Sequence, residues 1–369
     1  VSTPDMGKSN VKFCLYFEGD SYNLYSWHFD DIEIFAQKNT DLRILSIDIP
    51  EIVEAGETEV KFTVQNIGKE TIKSFKIESA NLDDKYCGTM DAQSFETELA
   101  PFETKQFTLN KTFVLNPGNY NIPITITEVN DIQDNDESNN YLAKDFAVTM
   151  GFTQRTPMIE HFSSSTCGPC VNANAMMLEI TNANPGRYTY TKYPVNFPGI
   201  GDPYYFNEVA GRAGYYQVDA VPMLYLDGIW QEYTIVTQEA LDASYETPSV
   251  ANVRGAFNVE GNVINITADF MSYIKMENVR AFVTVNEKVT TGNVGSNGET
   301  EFRHIFMKAL NSPTGNVMDI NAGEYQRLEF TYDMSSTNVE EMDNLEVSLW
   351  IQNYETGEIY NSHFAYEYT

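Results

Sequence analysis

The 369-residue sequence predicts a multidomain chain in which an α/β segment lies between two β-sandwich modules. Three observations lead there. Apolar residues alternate at Val60, Phe62 and Val64, at Tyr120, Ile122, Ile124 and Ile126, at Val279, Ala281, Val283 and Val285, and at Leu345, Val347, Leu349 and Ile351. That period of two belongs to half-buried strands. Turn chemistry punctuates the runs at Asn66-Ile67-Gly68, Asn116-Pro117-Gly118, Asn297-Gly298 and Glu355-Thr356-Gly357. From about 151 to 247 strands instead alternate with amphipathic helices, the mark of an α/β layer.

Each element follows in order. Residues 1–41 are too short for a domain and read as two or three strands, ending in Trp27-His28-Phe29-Asp30-Asp31-Ile32-Glu33-Ile34. Residues 42–149 make one sandwich, closing on the acidic, Asn-rich stretch 130–140. Residues 150–247 open with a strand over 156–162, after which Cys167-Gly168-Pro169-Cys170 starts a helix. Val171, Ala175 and Leu178 lie at i, i+4 and i+7 on one face of it. A strand follows near 188–195, then a helix marked by Phe206, Val209, Ala210 and Ala213. Strands over 222–226 and 229–233 flank the turn Asp227-Gly228, and a last helix covers 237–245. Residues 248–369 make the second sandwich.

Charge narrows the function. Twenty-three basic against 53 acidic residues give −30 at pH 7. Nucleic acid is excluded as a partner, since phosphate backbones need clustered Lys and Arg, and so is an anionic membrane surface. No apolar run approaches the ~20 residues of a span, so the chain is not expected to cross a membrane. The four histidines (28, 161, 304, 363) are scattered and no second C-x-x-C is present, so no metal site is expected. No nucleophile elbow, P-loop or zincin motif appears.

Cys167 and Cys170 carry the candidate chemistry. A Cys at a helix N-terminus has its thiolate stabilised by unpaired N–H groups and the helix dipole, and Pro169 suits the first turn. Cys167 is then the exposed attacking thiolate (the nucleophile), and Cys170 resolves the mixed disulfide. The segment from Phe162 to Cys170, with Gly168 and Pro169 between the cysteines, resembles the thioredoxin active site. Val218-Asp219-Ala220-Val221-Pro222, before Met223-Leu224-Tyr225-Leu226-Asp227-Gly228, resembles that family's cis-proline strand. The resemblance implies an α/β thioredoxin-like domain over 150–247, a cis Val221–Pro222 peptide that receives substrate backbone, and no cofactor. The partners implied are protein or peptide thiols and disulfides.

Further motifs extend the likeness. Glu160-His161-Phe162 and Phe302-Arg303-His304-Ile305-Phe306 resemble outer-membrane-associated thioredoxin-like proteins of anaerobic Gram-negative bacteria. Asp41-Leu42-Arg43, Val64-Gln65-Asn66-Ile67-Gly68 and Glu137-Ser138-Asn139-Asn140 resemble an adhesion-related immunoglobulin-like module. Residues 24–34 are similar to the last strand of a jelly-roll module, so on this likeness 1–41 is the end of a truncated one and the chain begins inside a larger protein. These resemblances imply an extracytoplasmic location (periplasm, outer-membrane surface or secreted) and cell-surface partners.

Departures leave alternatives open. Thr166 stands where the family carries Trp, behind Ser163, Ser164 and Ser165, and His161 takes the place of the family's buried acid. His161 is either a proton relay or a satisfied core histidine. The cysteine pair is either redox-active or a structural disulfide. Cys14 and Cys87 either pair or stand apart. The carboxylates of 131–137 suit calcium, yet the run lacks an EF-hand glycine and reads as a solvated loop. Tyr204, Tyr205, Tyr215 and Tyr216 line a groove or the core. Two functions follow: a secreted or envelope thiol–disulfide oxidoreductase, or a surface adhesion or binding protein with a structural, vestigial thioredoxin unit.

Overall fold

A computed structural model describes residues 37–82, 89–232, 235–310 and 312–368, with isolated positions before 37. The expected N-terminal strands, including 24–34, and Cys87 with its pairing to Cys14 lie outside the described residues. The chain divides into two compact units. Among the described residues, one comprises those within 37–50, 57–114 and 120–146, the other those within 51–56, 115–119 and 147–368.

The first unit is a β-sandwich. Strands Leu42–Asp48, Lys61–Asn66 and Thr104–Thr108 form a three-stranded sheet. Strands Gly118–Val129, Ile72–Ala80 and Met90–Leu99 lie side by side in the other. Alternation turns one side of each strand inward. Phe62 and Phe107 of the first sheet meet Phe75 and Phe95 of the second with ring centroids 4.9–6.4 Å apart. The acidic loop ties the first strand down. Buried Asp134 accepts from the Leu42 N–H at 3.0 Å and from the Asp136 N–H at 3.2 Å. These carboxylate oxygens thus satisfy backbone donors that the sandwich would otherwise leave orphaned.

The second unit is built on a nine-stranded sheet. Strands Ile229–Trp230, Met223–Leu226, Met158–Ser163 and Thr189–Pro194 occupy one side of it. They continue directly into Phe302–Ala309, Met276–Thr290, Leu345–Asn353 and Ile359–Phe364. A four-stranded sheet contributed by 325–333, 263–272, 251–260 and 366–367 packs on the C-terminal strands. Val253, Phe257, Ile264 and Ile266 of this layer join Val283, Val285, Val347 and Leu349 of the large sheet in one apolar core. Helices α1 (Gly168–Ala183), α2 (Asn207–Tyr215) and α3 (Gln238–Glu246) pack on the other strands. Val209 and Ala213 of α2 join Phe162, Tyr193 and Phe306, while Met177 of α1 and Leu241 of α3 join Ile159, Tyr190 and Leu224.

This architecture corrects the expected fold class. The unit is mostly β-sheet, and no separate α/β thioredoxin-like domain stands before a second sandwich. The physical reason lies in the 189–194 strand, which is buried along its whole length. Backbone groups buried on both edges need partners. One edge pairs in parallel with the 158–163 strand, and the other meets the 302–309 strand, Lys192 opposite Ile305. Among the described residues no helix is long and apolar enough to cross a membrane.

Candidate functional site

The site begins at the start of α1. Cys167 is its N-cap, with extended backbone (φ −96°, ψ 113°), and its Sγ accepts from the Cys170 N–H at 3.2 Å. Pro169 occupies the first turn, where no backbone donor is needed. Cys167 and Cys170 are joined as a disulfide, Cα atoms 5.3 Å apart. Val221–Pro222 is a cis peptide, and the Val221 carbonyl oxygen lies 3.4 Å from Cys167 Sγ. The sequence-predicted residues Cys167, Gly168, Pro169, Cys170, Val221 and Pro222 are thus brought together.

Their accessibility differs from the expectation. Gly168 and Pro169 are exposed, but Cys167 is 1 % and Cys170 0 % exposed. The expected exposed attacking thiolate is therefore a buried sulfur. The connection between the 276–290 and 302–309 strands packs over the loop before α1. The Asn297 N–H donates to the Ser165 carbonyl at 3.0 Å, and Asn297 Nδ2 donates to the Cys167 carbonyl at 3.3 Å. A Cβ on Gly295 would sit 2.4 Å from the Ser165 carbonyl oxygen, so only glycine fits that approach. Beneath the serines, buried Asp202 accepts from the Ser165 N–H at 2.9 Å, and burial raises its carboxyl above the ordinary value. Thr166, in the family's Trp position, donates to the Pro198 carbonyl at 2.7 Å, beside a second cis peptide at Phe197–Pro198.

His161 is fully buried, its Nδ1 hydrogen-bonded to the Tyr190 hydroxyl at 2.7 Å. Burial, followed by the nearby Lys192 charge, holds it well below the ordinary histidine value. The buried carboxylate is its neighbour Glu160, which points to the opposite side of the strand as a period of two requires. Glu160 accepts from Arg212 Nε at 2.7 Å, Arg212 Nη2 at 2.6 Å, Tyr216 at 2.7 Å and Tyr193 at 3.0 Å. Tyr216 therefore belongs to a buried network. Tyr204 donates instead to Glu340, and Tyr215 to the Tyr354 carbonyl.

The sequence gives no role to Arg212 or Lys192, and shows Glu160 only within the lead-in to the cysteines and Asn297 only as a turn residue. Arg212 sits three residues after Val209 on the apolar face of α2, and Lys192 stands inside an aromatic strand. A charge on a core-facing position was the available signal.

Comparisons with known proteins place the one matching family model on the first unit. No curated protein matches the chain. Among solved structures, HBP35 of Porphyromonas gingivalis aligns at 12% identity over 58% of this chain and 76% of its own, TM-score 0.47. A CARDB domain from Pyrococcus furiosus, solved in complex with di-metal ions, aligns at 24% identity over 33% of this chain and 99% of its own, TM-score 0.26. A domain of the outer membrane lipoprotein Omp28 from Porphyromonas gingivalis aligns at 12% identity over 33% of this chain and 92% of its own, TM-score 0.25. Residues 39–144 match the CARDB family model, so the first sandwich is a CARDB module of the adhesion-related, immunoglobulin-like kind.

Proposed function

We propose that the protein is an extracytoplasmic binding or adhesion protein of the cell surface, in which the Cys167–Cys170 disulfide is a structural clasp. The CARDB module supports the surface role. The observation that carries the reading is the burial of both cysteines, in a loop whose Ser165 and Cys167 carbonyls accept hydrogen bonds from Asn297 of the 291–301 connection. Disulfides buried in packed surroundings are inert, whereas catalytic cysteines are partly exposed. A persistent disulfide also suits an oxidising compartment.

A second reading keeps the thiol–disulfide chemistry. What favours it is the N-cap position of Cys167 beside the Val221 carbonyl and cis-Pro222. On that reading Cys167 attacks, Cys170 resolves, the Val221–Pro222 backbone receives a protein or peptide substrate, and His161 relays a proton. The buried Cys167 sulfur must become accessible first. Catalysed reduction of insulin by dithiothreitol separates the two. The clasp predicts no acceleration by the full chain and none lost in Cys167→Ser. Turnover that Cys167→Ser abolishes would establish the second reading instead.

A further inference from the structure

Helix α1 has two apolar faces. Cys170, Ala173, Met177 and Thr181 are buried against the sheet. The stripe evident in the sequence, Val171, Ala175 and Leu178, is not covered. It lines a half-open cleft of about 220 Å³, together with Lys192 and the largely buried Phe302. That volume is below the ~300–1,000 Å³ of pockets for drug-sized ligands, so it suits a smaller molecule.

Lys192 is the unusual member. It is 5 % exposed, and its ammonium donates to Asn174 Oδ1 at 2.8 Å. Among the described residues no carboxylate lies within ion-pair distance of it. The other charges of the lining are already engaged. Glu299 accepts from the Asn174 and Asn297 amides at 3.0 and 2.7 Å. Arg303 pairs with Glu301, and His304 Nδ1 with Glu346 at 2.6 Å. A buried cation is retained at a cost unless an anion compensates it. Glu299 and Asp202 act on this ammonium only from beyond ion-pair distance, Glu299 through the shared Asn174 amide, so the charge has no directly paired anion and lies beside an apolar wall.

We propose that this cleft binds a small carboxylate with an apolar tail, its head on the Lys192 ammonium and its tail against Val171, Ala175, Leu178 and Phe302. The recognition is independent of the cysteine pair. A charge-assisted hydrogen bond is about twice as strong as a neutral one, so the carboxylate should outbind the matched alcohol by about tenfold.

Isothermal titration of the full chain with sodium hexanoate, hexan-1-ol and hexylamine tests this. Hexanoate is expected to bind at one site, with the alcohol about tenfold weaker and the amine weaker still. Lys192→Met should reduce hexanoate to the alcohol's affinity. Ala175→Trp, at an exposed helical position that the fold tolerates, should block both by filling the cleft. No binding of hexanoate, equal affinity for hexanol, or hexanoate binding that survives Lys192→Met with its preference intact would each overturn the assignment.

Discussion

Replacing Arg212 by Met should destabilise the second unit by about 3 kcal/mol. The guanidinium, 2 % exposed at its side chain, holds the Glu160 carboxylate through two hydrogen bonds and reaches Gln352 of the 345–353 strand at 2.9 Å. It also lies 4.6 Å from the Phe282 ring centroid and 5.6 Å from that of Trp350. One side chain therefore bridges the 158–163 strand, α2 and the C-terminal strands. Removing one partner of a buried pair costs about 3–5 kcal/mol, because the other charge stays buried alone. Tyr193 and Tyr216 would still donate to Glu160, and Met fills part of the apolar volume, which places the loss near the lower limit. Urea unfolding followed by tryptophan fluorescence reads it. With a slope of about 2–3 kcal/mol/M, the midpoint should fall by about 1 M. Glu160→Gln added to Arg212→Met should recover part of the loss, since no uncompensated carboxylate remains. A loss under about 1 kcal/mol, or a double variant no more stable than Arg212→Met, would refute the bridging role.

Three further outcomes are expected. Asn297→Ala should speed alkylation of Cys167 in the reduced protein by about 5–30-fold, the effect of easing local opening by about 1–2 kcal/mol; an unchanged rate would show that the connection is no cover. Burial pushes the Lys192 ammonium from its ordinary 10.5 down to about 8, against the opposing charges of Glu299 and Asp202. The unfolded chain then holds the extra proton between these values, so stability should rise with pH across roughly 8 to 10.5. Lys192→Met should flatten that rise and raise stability at pH 7 by up to about 3 kcal/mol, with Tyr190, His161, Arg303, His304 and Glu301 left in place around it. In the first unit, Phe62→Ala should cost about 3–5 kcal/mol by opening a cavity among Phe75, Phe95 and Phe107, measured as a shift of that unit's unfolding transition.

Local elements were legible because they rest on local chemistry. The start of α1 follows from Cys167 as N-cap and Pro169 in the first turn, and the first sandwich follows from alternation and turns. Pairings between distant segments were not. Nothing local to Thr189–Pro194 announces that its free edge meets the 302–309 strand, and that contact is what turns an expected α/β domain into part of a larger sheet. The same blindness hid the burial of Cys167, because Asn297 lies far along the chain and reads in the sequence only as a turn. The apolar stripe of α1 was visible, yet periodicity cannot tell a face that packs from one that lines a cleft. Charged residues gave the faintest signal: Glu160 and His161 are neighbours, and only the strand's direction decides which one meets Arg212.

The most direct test of the clasp is the reduction potential of Cys167–Cys170, measured by alkylation and mass spectrometry across poised thiol buffers. A sealed structural disulfide should remain oxidised to below about −300 mV and resist alkylation while the protein is native. A potential near about −270 mV, with thiols that alkylate readily in the folded chain, would contradict it and return the pair to redox chemistry.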